Sequence, residues 1–399
     1  MELKVLFVCY ADSGHSQSWI NLLKGSGFDI RVFAYPIDFG NKYPPLPWHY
    51  PTYSIFKPII DRQASEIHWL FPASWWLRPF LHPIAYKSRV PSIWLGKIIR
   101  MWQPDLIHSL SFDFGNILTW EALKHFSKEE RPKWVISTWG TDINFGIQDS
   151  YMRPRISACI QECDGFMADC FRDIRNAISL GLAPQKLPGE RPIPGTGGID
   201  LDSLPGFQHD LRQRRLIVVP KAFDNKTNKT LPILDALRLC EDVLDSYHIF
   251  FLISSHEVRL HVEKLPQKLR ERCICFPHIL QQDLLSMYGS ARVMVAPSMS
   301  DGTPNVMLEA MALGALPIMS PISSIEEWIT DGENGLLTDA LNPLQIADAL
   351  NRALTDDDLC LKAAKINRRI ICERANRKAI RTEVIDFYQR IINQQVNEI

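Results

Sequence analysis

Short apolar runs of strand length alternate with helical stretches along almost the whole chain, and that alternation admits few folds. "LKVLFVCYA" is a strand-like run. A polar loop, "DSGHS", follows it, then the helical "QSWINLLKGSG" and a second strand, "DIRVFAY". Related strand-like runs recur at "PDLIHSLS", "KWVISTWG" and "GFMADC". Their apolar residues are continuous rather than alternating, which marks strands buried on both faces of a parallel sheet. A second series begins near Arg215. "RLIVVPKA", "YHIFFLISS", "CICFPHI", "ARVMVAPS" and "ALPIMSP" are separated by helical stretches such as "TLPILDALRLCEDVL" and "NVMLEAMALG". Strands alternating with helices imply a second parallel sheet. The Gly- and Pro-rich "PGERPIPGTGGIDLDSLPG" lies between the two series. It is read as the linker, or as a linker plus a strand.

The expected class is therefore α/β, with two doubly wound parallel-sheet domains facing a central cleft. The first spans residues 1–200 and the second 201–377, and a terminal helix, 378–399, returns to complete the first. A length of 399 residues suits two cores of about 150–200 residues each. In the terminal helix, Ile380, Val384, Phe387, Tyr388 and Ile391 share one face at helical spacing. Ligands of doubly wound sheets sit beyond the carboxyl ends of the strands.

Charge and cysteine content exclude several functions. A formal net charge of -1 argues against a nucleic-acid partner recruited by bulk charge. No apolar run approaches the roughly 20 residues that span a bilayer. The N-terminal run is short, of strand length and without a small-residue cleavage site, and reads as no signal peptide. The nine cysteines have no zinc spacing and no even framework, so reduced thiols of a cytoplasmic protein are expected. No metal motif is visible. The acid run "TDDD" reads as Thr355 capping a helix whose first turn carries dipole-matched charges.

The segment "VMVAPSMSDGTPNVMLEAMALGALPIMS" carries most of the chemistry. A buried strand ends at Pro297 and Ser298, the loop "MSDGTP" follows as far as Pro304, and a helix begins near Asn305 and Val306 and is closed by Gly314. The amides of its first turn, with those of Gly302 and Thr303, suit negative charge or sugar oxygens. Asp301 lies in the loop. Glu309, eight positions later, lies about one turn inside the helix. Both carboxylates suit charge-assisted hydrogen bonds from hydroxyls. On spacing alone, an ordinary strand–loop–helix crossover with Asp301 as a turn residue explains the pattern equally well.

This segment resembles the retaining glycosyltransferases of the GT-B fold, of the family 4 or group 1 type, which carry two acids separated by seven positions and then an "EAMA-G-P" run. Here the pair is Asp301 and Glu309, followed by Ala310, Met311, Ala312, Gly314 and Pro317. The first acid is Asp where Glu is commoner. The stretch Glu327, Asp331, Gly332, Asn334 and Gly335 also resembles the family. The resemblance implies two Rossmann-like domains and a nucleoside diphosphate sugar as donor, linked to UDP or GDP. It implies a basic pair on the donor diphosphate. Lys221 stands where Arg is usual, and Lys229 is the better match for the second residue, with Lys226 as its competitor. Gly14 matches a glycine facing the donor phosphates. His108 matches the family's strand-end histidine. Trp139 replaces a second histidine, while Gly140 and Asp142 remain. His108, Trp139 and Asp142 are thereby assigned to the vicinity of sugar and acceptor, although a satisfied strand-end histidine is as good a reading of His108.

The implied reaction retains anomeric configuration and needs neither metal nor cofactor. The implied acceptor is a saccharide or lipid-linked saccharide, in cell-surface polysaccharide or glycolipid synthesis on the cytoplasmic side of a membrane. Two other readings stay open: a nucleotide-sugar epimerase or hydrolase on the same fold, and a catalytically silent partner subunit. The segment from Asn41 to Gln103 is rich in Pro and Trp. Trp69, Trp75, Trp76, Trp94 and Trp102 suit core and loops, an acceptor groove, or peripheral membrane docking helped by Lys87, Arg89, Lys97 and Arg100.

Overall fold

The computed structural model describes residues 2–11, 13–35, 50–56, 66–71, 80, 88–206 and 210–393. The chain divides into two compact units. The first is Met1–Gly197 with Ala379–Ile399, and the second is Gly198–Lys378. The boundary falls inside the glycine-rich "GTGG", and the chain returns to the first unit within the helix Arg377–Asn393.

The first unit holds β1 (Lys4–Cys9), β2 (Asp29–Ala34), β3 (Thr52–Phe56), β4 (Ile67–Phe71), β5 (Leu106–Leu110), β6 (Lys133–Thr138) and β7 (Gly165–Ala168). They form one sheet in the order β4-β3-β2-β1-β5-β6-β7, every pair parallel. Alternation along each strand sends side chains to two faces, and both are covered. Leu6 and Val8 of β1 pack with Ile98, Trp134, Ile136 and Ile160. Val5, Phe7 and Cys9 pack on the other face with Trp19 and with Ile380, Val384, Phe387, Tyr388 and Ile391 of the last helix. The apolar stripe of that helix is thus buried where its spacing places it. Strands β3 and β4 come from the Pro- and Trp-rich segment, whose strands could not be assigned from periodicity. Trp102 is buried there, Trp94 is half-buried and Trp69 is exposed. Trp75, Trp76 and Lys87 lie outside the described residues.

The second unit holds β8 (Leu216–Val219), β9 (His248–Leu252), β10 (Cys273–Phe276), β11 (Ala291–Val295), β12 (Leu316–Met319) and β13 (Leu336–Leu337). Their order is β10-β9-β8-β11-β12-β13, again all parallel. Ile217 and Val219 face the helices Leu231–Leu239 and Pro343–Thr355, while Leu216 and Val218 face Met307, Leu308 and Met311. Among the described residues no helix is long and apolar enough to cross a membrane. The helix expected to start at a Thr355 cap starts one residue later. Thr355 ends the preceding helix, and Asp356 is the cap, its carboxylate accepting from Leu359 N at 2.8 Å. The Asp356 carboxylate reaches the first-turn amide and its charge suits the helix dipole.

Asn334 of the "NGLL" stretch is buried and fully bonded. Its Oδ1 accepts from Thr330 N at 2.7 Å, and its Nδ2 donates to Trp328 O at 2.9 Å and to Asn367 Oδ1 at 2.8 Å. Asn367 Nδ2 returns a bond to Asn334 O at 2.9 Å. Gly335 follows because a Cβ there would stand 2.8 Å from Ile329 Cγ2 and 3.0 Å from Pro317 O. This part of the family pattern therefore fastens β13 to the helix Asp357–Arg374. Asn367→Ala leaves a buried acceptor and a buried donor unsatisfied, and each such loss costs about 1–3 kcal/mol. Urea unfolding should show a lowered midpoint, whereas a midpoint equal to that of the wild type would mean that the amide pair is not made.

Candidate functional site

In each sheet the strand order reverses direction beside a central strand, between β1 and β5 in the first unit and between β8 and β11 in the second. Loops leaving the carboxyl ends of such neighbours diverge and leave a crevice. In the second unit they are the loop after β8, which carries Lys221 and Lys229, and the loop after β11, which carries Ser298, Asp301, Gly302 and Thr303. The two are tied together. Met299 N donates to Thr227 O at 2.7 Å, and Asn228 and Ser298 form an antiparallel bridge.

That tie brings Lys221 to Asp301 across 80 positions of sequence, with Nζ 2.6 Å from Oδ2 and both side chains about a quarter exposed. The other carboxylate oxygen of Asp301 accepts from Gly302 N at 3.0 Å, and Asp301 O accepts from Ser324 Oγ at 2.9 Å. Lys229 is held separately. Its Nζ lies 3.3 Å from Asp224 Oδ1 and donates to Asn225 O at 2.6 Å. Asp224 Oδ2 meanwhile accepts from Thr230 N and Leu231 N, both at 3.1 Å, and so caps the helix Leu231–Leu239. Sequence reasoning passed over Asp224. Its signal was an acid just upstream of a helix that has no nearer polar cap than Thr230.

The helix Asn305–Ala312 opens after Pro304, which offers no side-chain cap, and the loop before it is braced by Trp328 Nε1 donating to Thr303 Oγ1 at 3.1 Å. Ser298 N donates to Ser320 Oγ at 2.9 Å, while Ser298 Oγ is buried without a partner among the described residues. Val306 is half-buried beside Asn305. Glu309 is only 3% exposed. One oxygen, Oε1, accepts from Asn305 Nδ2 and from Gln281 Nε2, each at 2.5 Å. The other, Oε2, is buried with no partner among the described residues. Burial pushes this carboxyl up to about 7, against the pull of the two amides. Gln281 was not anticipated from the sequence, because it lies 28 positions from Glu309 and its contact has no periodic signature.

The first unit places its residues differently. Gly14 begins the helix Gly14–Leu22 with open space where a Cβ would lie, and Ser13 caps that helix through His15 N. His108 is fully buried in β5. Its Nε2 meets Ser137 Oγ at 2.7 Å, and its Nδ1 meets Tyr388 Oη and, at 3.3 Å, Trp19 Nε1. Burial pushes its pKa down to about 3. The expectation that His108 lies near the sugar is corrected here. It is a neutral core histidine joining the sheet to the last helix. Asp142 is also enclosed. Oδ1 accepts from Thr138 Oγ1, Trp139 N and Ile143 N, and Oδ2 accepts from Phe112 N at 2.9 Å. Both oxygens are occupied in shaping the loops after β5 and β6. Trp139 is half-buried, its ring 5.7 Å from that of His15 and close enough to Gly195 to meet an added Cβ at 3.0 Å. Asp169, Cys170 and Asp173, not grouped in the sequence reading, lie within 4.8 Å of one another in ligand atoms, all buried. Arg172 Nε sits 2.8 Å from Asp173 Oδ1, burial lifts Asp173 to about 6, and burial raises the Cys170 thiol far above its usual range.

Residues 228–356, about a third of the chain, match the family model described as "Glycosyl transferases group 1". The chain is 36% identical over 77 residues to a D-inositol 3-phosphate glycosyltransferase of Corynebacterium urealyticum, covering 19% of this chain and 18% of that protein. It is 29% identical over 123 residues to an uncharacterized glycosyltransferase of Methanocaldococcus jannaschii, covering 30% and 32%. The chain thus spans about a fifth of the length of the first of these relatives. Among solved structures, it is similar to sucrose-phosphate synthase of Thermosynechococcus elongatus, with a TM-score of 0.70 at 16% identity over 99% of this chain and 100% of that one. It is similar also to HepE of Anabaena in complex with UDP-glucose, with a TM-score of 0.66 at 12% identity over 100% of both chains. Residues 228–356 thus match the group 1 glycosyl transferases, and the two parallel-sheet units have the GT-B fold.

Proposed function

We propose that this protein is a glycosyltransferase whose second unit takes a nucleoside diphosphate sugar and whose first unit takes the acceptor, a saccharide or lipid-linked saccharide. One observation carries the reading: the Lys221–Asp301 pair, the helix start at Asn305 and the half-satisfied Glu309 all stand in the loops and helix that follow β8 and β11. HepE, similar in fold, is seen with UDP, with UDP and glucose, and with UDP-glucose, which supports a UDP-sugar as the first donor to test.

In this reading the donor diphosphate lies against Lys221, Lys229 and the first-turn amides of the helix Asn305–Ala312. As the sugar–phosphate bond breaks, negative charge grows on the leaving diphosphate. Fixed cationic donors in a shielded site stabilise that charge where it develops. Asp301 holds the Lys221 ammonium and takes a hydroxyl of the transferred sugar. The acceptor hydroxyl attacks on the face that the diphosphate leaves, with retention, and its proton passes to the departing phosphate. Asp142 and His108, both enclosed by protein, then act as supports and not as bases. No metal or cofactor enters this scheme, because the two lysines supply the positive charge. The helix Val90–Trp102 exposes Ile93, Lys97, Arg100 and Met101, which supports peripheral contact with the cytoplasmic face of a membrane carrying a lipid-linked acceptor.

The test is a thermal-shift and calorimetric screen of UDP, GDP and their sugars without metal and then with magnesium. A donor at a hundredfold excess over its Kd should stabilise the protein by about 2.7 kcal/mol. Lys221→Ala should slow transfer by roughly 10²–10³-fold. Consumption of the donor at the same rate with or without acceptor would instead indicate a hydrolase. Absence of any nucleotide binding would indicate a catalytically silent subunit.

Glu309 also makes a prediction about stability. Its folded pKa, about 7, is raised above the ordinary value of 4.5. Between those values the folded state binds more protons than the unfolded state, so stability falls as pH rises through this window. Glu309→Gln removes that loss. The variant should gain on the wild type as pH rises from 5 to 8, by roughly 3 kcal/mol, while its nucleotide-sugar affinity falls. Parallel stability curves for the two proteins in denaturant titrations would contradict a raised Glu309.

A further inference from the structure

Glu309 is held asymmetrically. Two side-chain amides, from different helices, meet one carboxylate oxygen, and the other oxygen, although buried, has no partner among the described residues. A buried carboxylate is most stable with donors on both oxygens, and one left bare is a costly arrangement unless something else donates to it. Asn305 is on the same helix as Glu309, at the i,i+4 spacing that brings side chains together. Gln281 is not. It opens the helix Gln281–Ser290, its body is exposed, and its amide reaches across to Glu309. An exposed glutamine gains nothing for its own helix by that reach and loses side-chain freedom.

We infer that Gln281 is a positioning residue for the donor site: with Asn305 it pins Glu309 Oε1 so that Oε2 is presented, ionised, to a hydroxyl of the nucleotide sugar. The inference rests on the donor-site reading given above. Titratable and charged groups facing this helix from its packed neighbours are Tyr288 on Gln281–Ser290, fully buried with a phenol that the Glu309 charge pushes further up, and Arg368 on Asp357–Arg374, which donates to Ala312 O at 3.0 Å. Lys221 and Asp301 stand at the loop before its first turn. None of these gives Glu309 a hydrogen bond among the described residues, so the two amides are the donors that keep its carboxyl from rising further. Loss of the Gln281 amide raises the Glu309 pKa, and a larger share of the protein then carries a protonated acid at neutral pH.

The experiment is calorimetric binding of UDP-glucose and GDP-glucose from about pH 6 to about pH 9. Their diphosphates are diesters and do not titrate near neutrality. The proteins are the wild type, Gln281→Leu, Gln281→Ala, Glu309→Gln and the Gln281→Leu/Glu309→Gln double variant, with the unfolding midpoint of each free protein as a folding control. Wild-type affinity should weaken below about pH 7. In both Gln281 variants the break should move up by about one pH unit, giving roughly fivefold weaker binding at neutral pH and near recovery at the alkaline end. In the Glu309→Gln background the break should vanish, and Gln281→Leu should then change affinity less than about twofold. Wild-type binding with the same break in both Gln281 variants, or a uniform weakening at every pH, overturns the positioning role while leaving the donor site standing. Binding of neither probe by the wild type overturns the donor-site reading and the inference with it.

Discussion

Parallel strands cannot be joined by hairpins, and the consequences of that constraint run through both units. Each strand must be followed by a crossover, so helices cover both faces of each sheet and the strands between them are apolar on both sides. The crossovers leave polar backbone at one edge of the sheet, the carboxyl ends, and that edge needs side chains to complete its hydrogen bonds. Carboxylates do this work in both units. Asp142 joins the loops after β5 and β6, Asp224 caps the helix after β8, and Asp301 meets the loop after β8 from the loop after β11.

These carboxylates differ in what remains of them. Asp142 accepts four bonds and both its oxygens are occupied, so it is a fastener. Asp224 divides itself between two helix amides and Lys229. Asp301 and Glu309 are the exceptions in kind. Asp301 meets a lysine at a position about a quarter exposed, and Glu309 is enclosed with an oxygen that no described group satisfies. Burial alone would have favoured a Gln or an apolar residue at Glu309, since an unpartnered buried charge costs several kcal/mol. Retention of an acid there, with its carboxyl pushed up to about 7, is the kind of local cost associated with functional sites.

Much of this was legible in the chain, and the reasons that parts were not are physical. Apolar runs revealed β1, β2, β5, β6, β7 and the strands from β8 to β12, because strands inside a parallel sheet covered on both faces are apolar at most positions. The last helix could be placed on a core from five residues on one face. Strands β3 and β4 were not legible: they sit among prolines and aromatics, and β4, at the sheet edge, is half exposed, so its run lacks the buried signature. Thr355 was chosen as a cap by residue type, but the next residue has the extended backbone that a cap requires. His108 was read equally as a site residue or a satisfied core residue, and only its contacts with Ser137, Trp19 and Tyr388, the last 280 positions away, separate the two. Asp224 and Gln281 were missed for a related reason. Their roles depend on partners that spacing does not encode, and neither departs from what an ordinary polar surface position would hold.

Two departures from the commoner pattern of the resembled family meet in one contact. Asp301 stands where Glu is commoner, and Lys221 where Arg is commoner. Arg and a carboxylate form a two-bonded fork, which fixes both and takes two guanidinium donors. Lys and Asp cannot make that fork. The structure shows a single bond of 2.6 Å from Nζ to Oδ2 instead, with Oδ1 turned to Gly302 N. An ammonium that gives one hydrogen to Asp301 retains two more, and it swings on a flexible stem. A planar fork would lock both partners, whereas this pair leaves the cation able to follow a moving charge while the carboxylate stays anchored to the loop. Lys221 and Asp301 therefore suit one another: an arginine opposite Asp301 would be drawn into a fork, and a glutamate opposite Lys221 would have to fold back by one methylene. The proposed chemistry places a cation on the developing diphosphate charge, and this single-bonded pair leaves the Lys221 ammonium free to follow it.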